Sequence, residues 1–445
     1  MKRRVAFISE HASPLAVCGG VDSGGQNVYV AELCMQLAEK DYQIDIFTRR
    51  ETFALPVVVE WLPNINVIHI NAGPVECLAK ELLLGYMDQF ADGMVDYIEK
   101  EQIDYDIVHA NFFMSALVAS NVKKRLGIPY VVTFHALGLV RKIHQKEMDA
   151  FPEERISIEK FIVQDADHII AECPQDMEDL FAYYGAEPQR VTIVPCGFNP
   201  AEFFPVDKKE ARDFLKLDHK DKILLQLGRV VPRKGIDNVI EAVAKLKKMS
   251  NVKLLIVGGE DEVPDFEKSK ELRRLKQIAL DEGVENQVIF TGRKDRNLLK
   301  YYYSAVDIFI STPWYEPFGI TPLESMACGT PVIGSNVGGI KFSVHHNQTG
   351  YLVPPNNPEK LAERIEQMFE DEVVYDQMCQ RSLDRVNQMF TWKKVAERME
   401  AVYKHIWYGK YEKIITSEPT PLVRIKTFTD QENKFIDPLY LVKIS

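Results

Sequence analysis

The sequence predicts an α/β protein built from two doubly wound parallel sheets. Short runs of Val, Ile and Leu alternate with amphipathic stretches of helical length along most of the chain. The runs are apolar throughout rather than alternating with polar residues, which is typical of parallel strands covered by helices on both faces. Between residues 199 and 222, two prolines and a mixed-charge stretch interrupt this pattern. The runs therefore fall into two series, which indicates two sheets.

The elements follow in chain order. Seven runs in the first series predict strands at 5–9, 44–47, 67–70, 107–110, 130–134, 168–171 and 191–194. Five runs in the second series predict strands at 223–227, 253–257, 288–291, 308–311 and 331–334. Helical periodicity predicts the principal helices at 27–40, 80–100, 236–248, 271–283, 359–369 and 392–408.

These elements predict two domains. We expect residues 1–200 to form the first domain and residues 201–409 to form the second. The tail, residues 410–445, carries three prolines and weak periodicity. It is expected either to complete the first domain or to be partly disordered.

Composition and charge exclude several classes of protein. The 65 acidic and 54 basic residues give a net charge of −11, which argues against nucleic-acid binding through the overall field. No apolar run reaches the roughly 20 residues that span a bilayer. The seven cysteines are odd in number and widely spaced, with no CxxC pair. We therefore expect a cytoplasmic chain without a metal or disulfide framework.

Two loops that follow the first strand of each series offer groups for an anion. Residues 19–27, GGVDSGGQN, place glycines before a helix, where bare backbone N–H groups favour negative charge; a flexible loop is the alternative. Arg229 and Lys234 follow the strand predicted at 223–227. Their guanidinium and ammonium groups suit phosphate oxygens, although a solvated basic loop has the same composition.

The most specific pattern is EPFGITPLE, residues 316–324. Glu316 stands just before a predicted helix, and Glu324 lies about two turns further on a related face. The N–H groups of Phe318 to Ile320 could bind phosphate, and the carboxylates could accept hydrogen bonds from sugar hydroxyls. Two DxD sequences, at 104–106 and 165–167, immediately precede predicted strands, the wrong end for a ligand site. We read these as solvated turns and expect no metal site.

Together these motifs resemble the retaining glycosyltransferases of the GT-B fold, family 4. The resemblance extends from about Val5 to Phe390 and implies two Rossmann-like domains that face a deep cleft. Residues 22–29, DSGGQNVY, resemble two subgroups of that family. Gln26 matches the sucrose-phosphate synthase pattern, whereas Asn27 matches the subgroup that begins mycothiol synthesis on inositol phosphate.

The resemblance implies roles for the donor side. Arg229 and Lys234 would bind the diphosphate of the nucleotide sugar, and Gly25 would contact it from the first domain. Glu324 would bind the ribose, and Glu316 the hydroxyls of the donor sugar. Backbone contacts would come from Phe318, Gly319 and Ile320. His135, in the sequence TFHALG, would lie beside the anomeric carbon.

On the acceptor side, Lys80 and Arg155 align with residues that bind the acceptor phosphate in the mycothiol subgroup. Each could equally lie on a solvated helix face. Phe112 and Ala136 stand where that subgroup has hydroxyl groups, which argues against inositol phosphate. Gln26, Asn27 and His109 are further acceptor-side candidates, although a structural role for His109 is as well supported.

We therefore expect a metal-independent enzyme that needs no cofactor and transfers glucose with retention from a nucleotide sugar, UDP-glucose being favoured. The favoured acceptor is fructose 6-phosphate, which would give sucrose 6-phosphate. Another acceptor, such as a cyclitol phosphate, is the alternative within the family. A nucleotide-sugar 2-epimerase and a catalytically silent binding protein are alternatives outside it. Same-face attack, with the leaving phosphate accepting the proton, is what the resemblance implies.

Overall fold

Two sheets organise the part of the chain that the structure, a computed structural model, describes: residues 2–15, 24–146, 149–246, 249 and 251–408. The first sheet contains β1 (Arg4–Ile8), β2 (Gln43–Arg49), β3 (Val58–Leu62), β4 (Ile65–Ile70), β5 (Ile107–Asn111), β6 (Tyr130–Thr133), β7 (His168–Ala171) and β8 (Val191–Ile193). The second contains β9 (Lys222–Leu227), β10 (Val252–Val257), β11 (Val288–Gly292), β12 (Ile308–Ser311), β13 (Val332–Ser335) and β14 (Gly350–Val353).

Helices connect the strands and cover the sheets. Those between strands of the first sheet are α1 (Gly25–Ala38), α2 (Met87–Glu101), α3 (Phe113–Leu126), α4 (Gly138–Gln145), α5 (Glu154–Asp165) and α6 (Pro174–Tyr184). The later ones are α7 (Lys208–Leu215), α8 (Ile236–Lys245), α9 (Lys270–Asp281), α10 (Leu299–Ala305), α11 (Ile320–Ala327), α12 (Ile340–Ser343), α13 (Pro358–Glu370), α14 (Glu372–Met389) and α15 (Trp392–Tyr408). No helix in the described ranges has the length and apolar character to cross a membrane.

Strand order fixes where a ligand can bind. The first sheet has the order β3-β4-β2-β1-β5-β6-β7-β8, with only the β3–β4 pair antiparallel. The second has the order β11-β10-β9-β12-β13-β14, and its described pairings are parallel. In each sheet the winding reverses beside the first strand, β1 or β9. Ligands of such folds bind at that switch point, beyond the carboxyl ends of the strands. The predicted fold class is therefore confirmed.

Two strands, β3 and β14, lie outside the predicted runs. The first is an edge strand whose residues alternate between exposed and half-buried, so it lacks the continuous apolar run of an interior strand. The second has only four residues and begins at Gly350, whose extended backbone approaches the carbonyl of Val332. Neither strand has the apolar run from which the other strands are predicted.

The last described helix, α15, differs from the predicted domain division. We expected residues 201–409 to form one domain, but α15 packs against α1 of the first domain. Glu400 accepts a hydrogen bond from Lys40 at 3.1 Å, and the Trp407 indole donates to the Asp106 carbonyl at 3.1 Å. The helix buries its apolar face on the first sheet's layer, so the chain ends its described part in the domain where it began. The tail from 410 onward lies outside the described residues.

The chain crosses between the domains in two neighbouring segments. Phe198 and Thr391 form an isolated parallel bridge, and the Phe198 N–H donates to the Phe390 carbonyl at 2.8 Å. A Cβ at Gly197 would lie 2.9 Å from that carbonyl, so this close approach requires glycine. The two crossing segments therefore lie side by side.

Candidate active site

A cleft of about 380 Å³ lies between the carboxyl ends of the two sheets. In the first domain it is lined by residues that follow β1, β5 and β6. In the second domain it is lined by residues that follow β9, β10 and β12. Among the lining residues are His11, Gly25, Gln26, Lys80, Phe112, His135, Arg141, Arg229, Lys234, Glu316, Phe318, Gly319, Ile320 and Glu324. The two switch points of the sheets therefore face one ligand-sized space.

A cluster of opposite charges holds Glu316 on the donor side. Its Oε2 accepts a short hydrogen bond from Lys234 and lies 3.3 Å from Nη1 of Arg233. The Glu316 side chain is 12% exposed. Burial alone would raise its pKa, but Lys234, Arg233 and Arg229 outweigh that cost and hold the pKa at about 2. Glu316 is therefore ionised at neutral pH and neutralises the cations that face the cleft.

The position of Lys234 depends on the glycine that follows it. Gly235 has a φ of +64°, and a Cβ there would lie 2.2 Å from the carbonyl oxygen of Thr312. This tight turn ends the loop after β9 and begins α8. Only glycine allows the loop to approach the segment that follows β12 so closely. The turn thus brings Lys234 and Glu316, which are 82 residues apart, into contact.

Glu324 belongs to a second, more buried network. Its Oε1 accepts from Nη1 of Arg296 at 3.0 Å, and its Oε2 accepts from the Tyr303 hydroxyl at 2.9 Å. Arg296 also donates to Glu202 at 2.7 Å, while its Nη2 is buried without a hydrogen-bond partner among the described residues. The carboxylate is thus fixed by two donors at the edge of the cleft, where its remaining lone pairs can accept hydroxyl groups.

The first turn of α11 faces the first turn of α1 across the cleft. Phe318, Gly319 and Ile320 line the cleft and bring their backbone N–H groups to the start of α11. Opposite them, a Cβ placed on Gly25 would lie 3.8 Å from Cδ1 of Ile320. Both helix N-termini carry partial positive charge. This arrangement suits a group with negative charge between the domains.

His135 is held in one orientation by acceptors on both sides. Its Nδ1 lies 3.0 Å from Oε1 of Glu172, and its Nε2 lies 3.1 Å from Oδ1 of Asn111. The residue has a φ of +58°, which is unusual outside glycine, and its ring packs edge-on against Tyr29. Backbone strain of this kind persists where the surroundings over-determine a residue. His135 therefore presents a fixed edge to the cleft.

Gln26 and Asn27 have different roles although they are neighbours. The Gln26 amide donates to Ser9 Oγ at 3.1 Å and to the Asn111 carbonyl at 3.2 Å, which leaves its Oε1 without a partner among the described residues. Asn27 accepts from the Gly24 N–H and donates to the Ser13 carbonyl, so both ends of its amide hold the loop. Residues 19–23 of the predicted glycine-rich loop lie outside the described residues.

Lys80 and Arg141 bring positive charge to the acceptor side of the cleft. Lys80 lies in a short 3-10 turn rather than in the helix expected from residue 80, because the α-helix begins at Met87. Arg141, in α4, forms an ion pair with Asp149 at 2.8 Å. Phe112 and Ala136 line the same cleft as these two cations.

The structure does not place His109 in the cleft. The side chain is fully buried, with Nδ1 2.7 Å from the Tyr403 hydroxyl and Nε2 2.9 Å from the Thr133 hydroxyl. Burial, with a smaller effect of His135, lowers its pKa to about 3, so the ring is neutral. It joins α15 to the centre of the first sheet. These contacts favour the structural interpretation of His109 over acceptor binding.

Arg155 also lies behind the cleft rather than on its surface. It is 1% exposed, donates to Glu159 at 2.7 Å and forms a short hydrogen bond with the Ala136 carbonyl. The guanidinium carbon lies 4.6 Å from the centre of the Phe151 ring and 4.8 Å from that of Phe112. These two rings line the cleft and cover the arginine. Lys80 and Arg141 therefore line the cleft, whereas Arg155 lies behind its aromatic lining.

Sequence reasoning missed several residues of the site. Arg233, next to Lys234, is a second ion-pair partner of Glu316. The available signal was that its charge adjoins that of Lys234 in the sequence. Arg296 and Glu172 hold Glu324 and His135, respectively. Their contacts join distant segments, so only Glu172 had a local signal, as the polar residue directly after β7.

Among the described residues, no group of three or more His, Cys, Asp or Glu side chains could hold a metal ion. The DxD residues instead cap strand starts. Asp106 accepts from the Arg4 N–H at 2.8 Å, and Asp167 accepts from the Tyr130 N–H at 2.9 Å. Both lie at the amino ends of the strands, away from the cleft, as expected.

The fold and the cleft between its two domains define a glycosyltransferase of the GT-B class. A family model described as "Glycosyltransferase Family 4" matches residues 23–202, and one described as "Glycosyl transferases group 1" matches residues 207–385. Together they cover every strand of the two sheets except β1. The chain belongs to glycosyltransferase family 4.

Relatives within this family fall into two groups. D-inositol 3-phosphate glycosyltransferase 2 of Catenulispora acidiphila is 34% identical, covering 82% of this chain and 86% of the relative. The corresponding enzyme of Acidothermus cellulolyticus is 33% identical, covering 90% of each. Among solved structures, sucrose-phosphate synthase of Thermosynechococcus elongatus has a TM-score of 0.84 and 32% identity, covering 92% of this chain and 100% of that chain.

Proposed function

We propose that this protein transfers a hexosyl unit, with retention of configuration, from a nucleotide sugar to a phosphorylated sugar. One observation carries the proposal: a single cleft contains a cation cluster beside Glu316 and a second pair of cations, Lys80 and Arg141, at its other side. The first set suits a diphosphate and the second a phosphorylated acceptor.

On the donor side, Lys234 and Arg229 bind the diphosphate, and the N-termini of α1 and α11 face it from opposite domains. When the diphosphate forms an ion pair with Lys234, the Glu316 carboxylate becomes available to accept hydrogen bonds from the sugar hydroxyls. Glu324 binds the ribose. Stabilising the charge of the leaving group in a preorganised site is the largest catalytic effect expected of such residues.

We propose that retention, which the family resemblance implies, proceeds without a covalent intermediate. Retaining glycosidases use a carboxylate nucleophile. The three acidic residues that line the described cleft are already bound: Glu172 by His135 and Cys196, Glu316 by its cations, and Glu324 by Arg296 and Tyr303. The acceptor hydroxyl therefore attacks from the face that the diphosphate leaves. The departing phosphate accepts the proton, and the site contributes positioning.

Fructose 6-phosphate is the favoured acceptor and UDP-glucose the favoured donor, so the product would be sucrose 6-phosphate. Gln26, the residue shared with the sucrose-phosphate synthase pattern, keeps its Oε1 available, whereas the Asn27 amide is fully used within the loop. Phe112 and Ala136 provide no hydroxyl group near the acceptor. The overall similarity to the Thermosynechococcus enzyme supports the same choice.

An inositol phosphate is the second candidate acceptor. It is favoured by the sequence relatives, which include several D-inositol 3-phosphate glycosyltransferases. Both acceptors are phosphorylated polyols, so Lys80 and Arg141 suit either. The hydroxyl pattern around the phosphate, read by Gln26 and its neighbours, would distinguish them.

A panel of acceptors tests the proposal. Purified protein is incubated with UDP-glucose and a chelator, together with fructose 6-phosphate, glucose 6-phosphate, D-inositol 3-phosphate or no acceptor, and UDP release is measured. The proposal expects the largest kcat/KM with fructose 6-phosphate and only slow hydrolysis without an acceptor. A larger kcat/KM with D-inositol 3-phosphate would make an inositol phosphate the proposed acceptor in place of fructose 6-phosphate. Conversion of UDP-glucose without UDP release would indicate the 2-epimerase instead.

A further inference from the structure

Tyr315 belongs to the second domain, but its side chain is buried in the first. It lies in the loop between β12 and α11, immediately before Glu316, and it is 9% exposed. The apolar core with which it packs is otherwise a first-domain core: among the described residues, its other buried members lie between Ala6 and Val191. One side chain thus joins the segment that carries Glu316 to the core of the opposite domain.

The first domain contacts Tyr315 through the helix α4. The ring of His144, in the last turn of α4, stacks on the Tyr315 ring with 5.3 Å between ring centres and 8° between ring planes. The amino end of α4 is fixed within the first domain, because the Leu139 N–H donates to the Tyr184 hydroxyl at 2.9 Å. The helix therefore extends from an anchor in the first domain to a contact with the second.

The same helix carries Arg141, one of the two cations on the acceptor side. Arg141 and His144 are three residues apart, so they are neighbours on the surface of α4. Arg141 lines the cleft, whereas His144 lines an adjoining cavity of about 220 Å³. Tyr315 and Glu316 line both spaces. An anion bound by Arg141 would therefore lie about one helical turn from the stacked rings.

On the second-domain side, the segment around Glu316 is supported by the loop that follows β9. The Trp314 N–H donates to the Arg233 carbonyl at 3.0 Å, and Lys234 forms the short hydrogen bond with Glu316. In the proposed donor complex, the diphosphate binds Lys234 and so weakens this second support just when Glu316 binds the donor sugar. The contact of Tyr315 with α4 does not involve the diphosphate, so it still holds Glu316 in place.

We infer that Tyr315 and His144 are positioning residues that couple the two substrates. An acceptor phosphate bound by Arg141 fixes α4, the stacked rings fix Tyr315 against α4, and Tyr315 keeps Glu316 where the donor sugar binds. Neither ring has to touch a substrate in this role. The inference rests on the proposed function, because it concerns how the two parts of that site act together. By linkage, acceptor and donor raise each other's affinity by the same factor.

Isothermal titration calorimetry measures this factor. UDP-2-fluoroglucose, a donor analogue whose fluorine slows the loss of the diphosphate, is titrated with and without saturating fructose 6-phosphate, or the phosphorylated acceptor that the panel identifies. In the wild type, the acceptor is expected to lower the Kd of the analogue by about fivefold or more, the lower end of typical coupling.

Two alanine variants test the stacked rings. His144→Ala and Tyr315→Ala are expected to bring the coupling factor to within about twofold of unity. The Kd of UDP alone should stay near the wild-type value, because UDP lacks the sugar that Glu316 binds. His144 is an exposed residue, so His144→Ala tests the coupling even where Tyr315→Ala also lowers stability.

Aromatic variants and a matched control separate positioning from general stability. His144→Phe and Tyr315→Phe keep two rings that can stack, so both are expected to retain the coupling. Phe214→Ala removes a ring that stacks on Tyr301 at 4.4 Å within the second domain, and it should leave the coupling factor unchanged.

The outcomes distinguish this inference from the proposed function. A wild type that transfers to a phosphorylated acceptor but shows no coupling would overturn the inference alone, as would wild-type coupling in His144→Ala. An equal loss of coupling in Phe214→Ala would also overturn it, because any lost stack would then have the same effect. A wild type that transfers to no phosphorylated acceptor would overturn the proposed function and this inference with it.

Discussion

Replacing Lys234 by alanine is predicted to abolish most of the activity and to leave the negative charge of Glu316 only partly compensated. Lys234 is the largest of three cationic influences on the Glu316 carboxylate, whose pKa of about 2 lies well below its ordinary value near 4.3. A difference of roughly two units corresponds to about 3 kcal/mol of favourable interaction with the surrounding cations. Because Arg233 remains at 3.3 Å, Lys234→Ala should lower the stability of the second domain by about 1–2 kcal/mol, less than the full cost of an unpaired buried charge.

The catalytic loss should be larger than the loss of stability. Removing one preorganised group that stabilises the developing charge costs about 2.7–4 kcal/mol, or roughly 100- to 1,000-fold in kcat. The double variant Lys234→Ala/Glu316→Gln should recover the lost stability, because the unpaired carboxylate is gone. It should not recover activity, because the diphosphate still lacks its cation.

Two measurements separate these effects: thermal unfolding of each variant and UDP release with UDP-glucose and fructose 6-phosphate. Lys245→Ala is the matched control, because Lys245 forms an exposed pair with Glu359 at 2.9 Å in the same domain and should affect neither measurement. Activity of Lys234→Ala within threefold of the wild type would refute the assignment of Lys234. A double variant as unstable as Lys234→Ala would refute the proposed charge balance.

Three other predictions address the rest of the cleft and its supports. Glu324→Gln should raise the KM for the donor by about tenfold or more, measured by varying UDP-glucose in the UDP-release assay. The change in kcat should be smaller, because Arg296 keeps Glu202 as a partner. Gly235→Ala should cost more than about 1 kcal/mol in thermal unfolding, the cost of the left-handed conformation alone, because its Cβ would also meet the Thr312 carbonyl at 2.2 Å. The low pKa of His109 makes stability complete above about pH 6.5 and progressively lost as pH falls toward 3. Urea unfolding should therefore show the wild type losing about 2 kcal/mol more than His109→Gln between pH 7 and pH 5; equal losses would contradict the assignment.

The sequence alone predicted the interior strands and the residues directly after them. Strands buried on both faces are continuous apolar runs, so their ends can be read from the chain. Parallel pairing then brings those ends to one edge. Lys234 and Glu316 illustrate this success: each follows a central strand of the second sheet, and the structure brings them into contact.

Whether a given side chain is buried or reaches the cleft could not be predicted in the same way. His109 lies inside β5, between two apolar neighbours, and a strand covered on both faces has no polar side to indicate where the residue points. Arg155 aligns with a residue that binds the acceptor phosphate in the mycothiol subgroup, but aromatic rings from two other segments, Phe112 and Phe151, cover it. Such non-local packing leaves no local signal.

The surface against which α15 packs could not be predicted for a related reason. Its amphipathic pattern predicts that one face is buried but does not identify the surface that buries it. The contacts of Tyr403 with His109 and of Trp407 with Asp106 join positions about 300 residues apart.

The most direct test of the central claim is nuclear magnetic resonance of the reaction of UDP-glucose with fructose 6-phosphate, in the presence of a chelator. The account predicts UDP and a phosphorylated disaccharide in equal amounts, with the α configuration of the donor glucose kept at its anomeric carbon. A product of inverted configuration, or a changed nucleotide sugar without release of UDP, would contradict it.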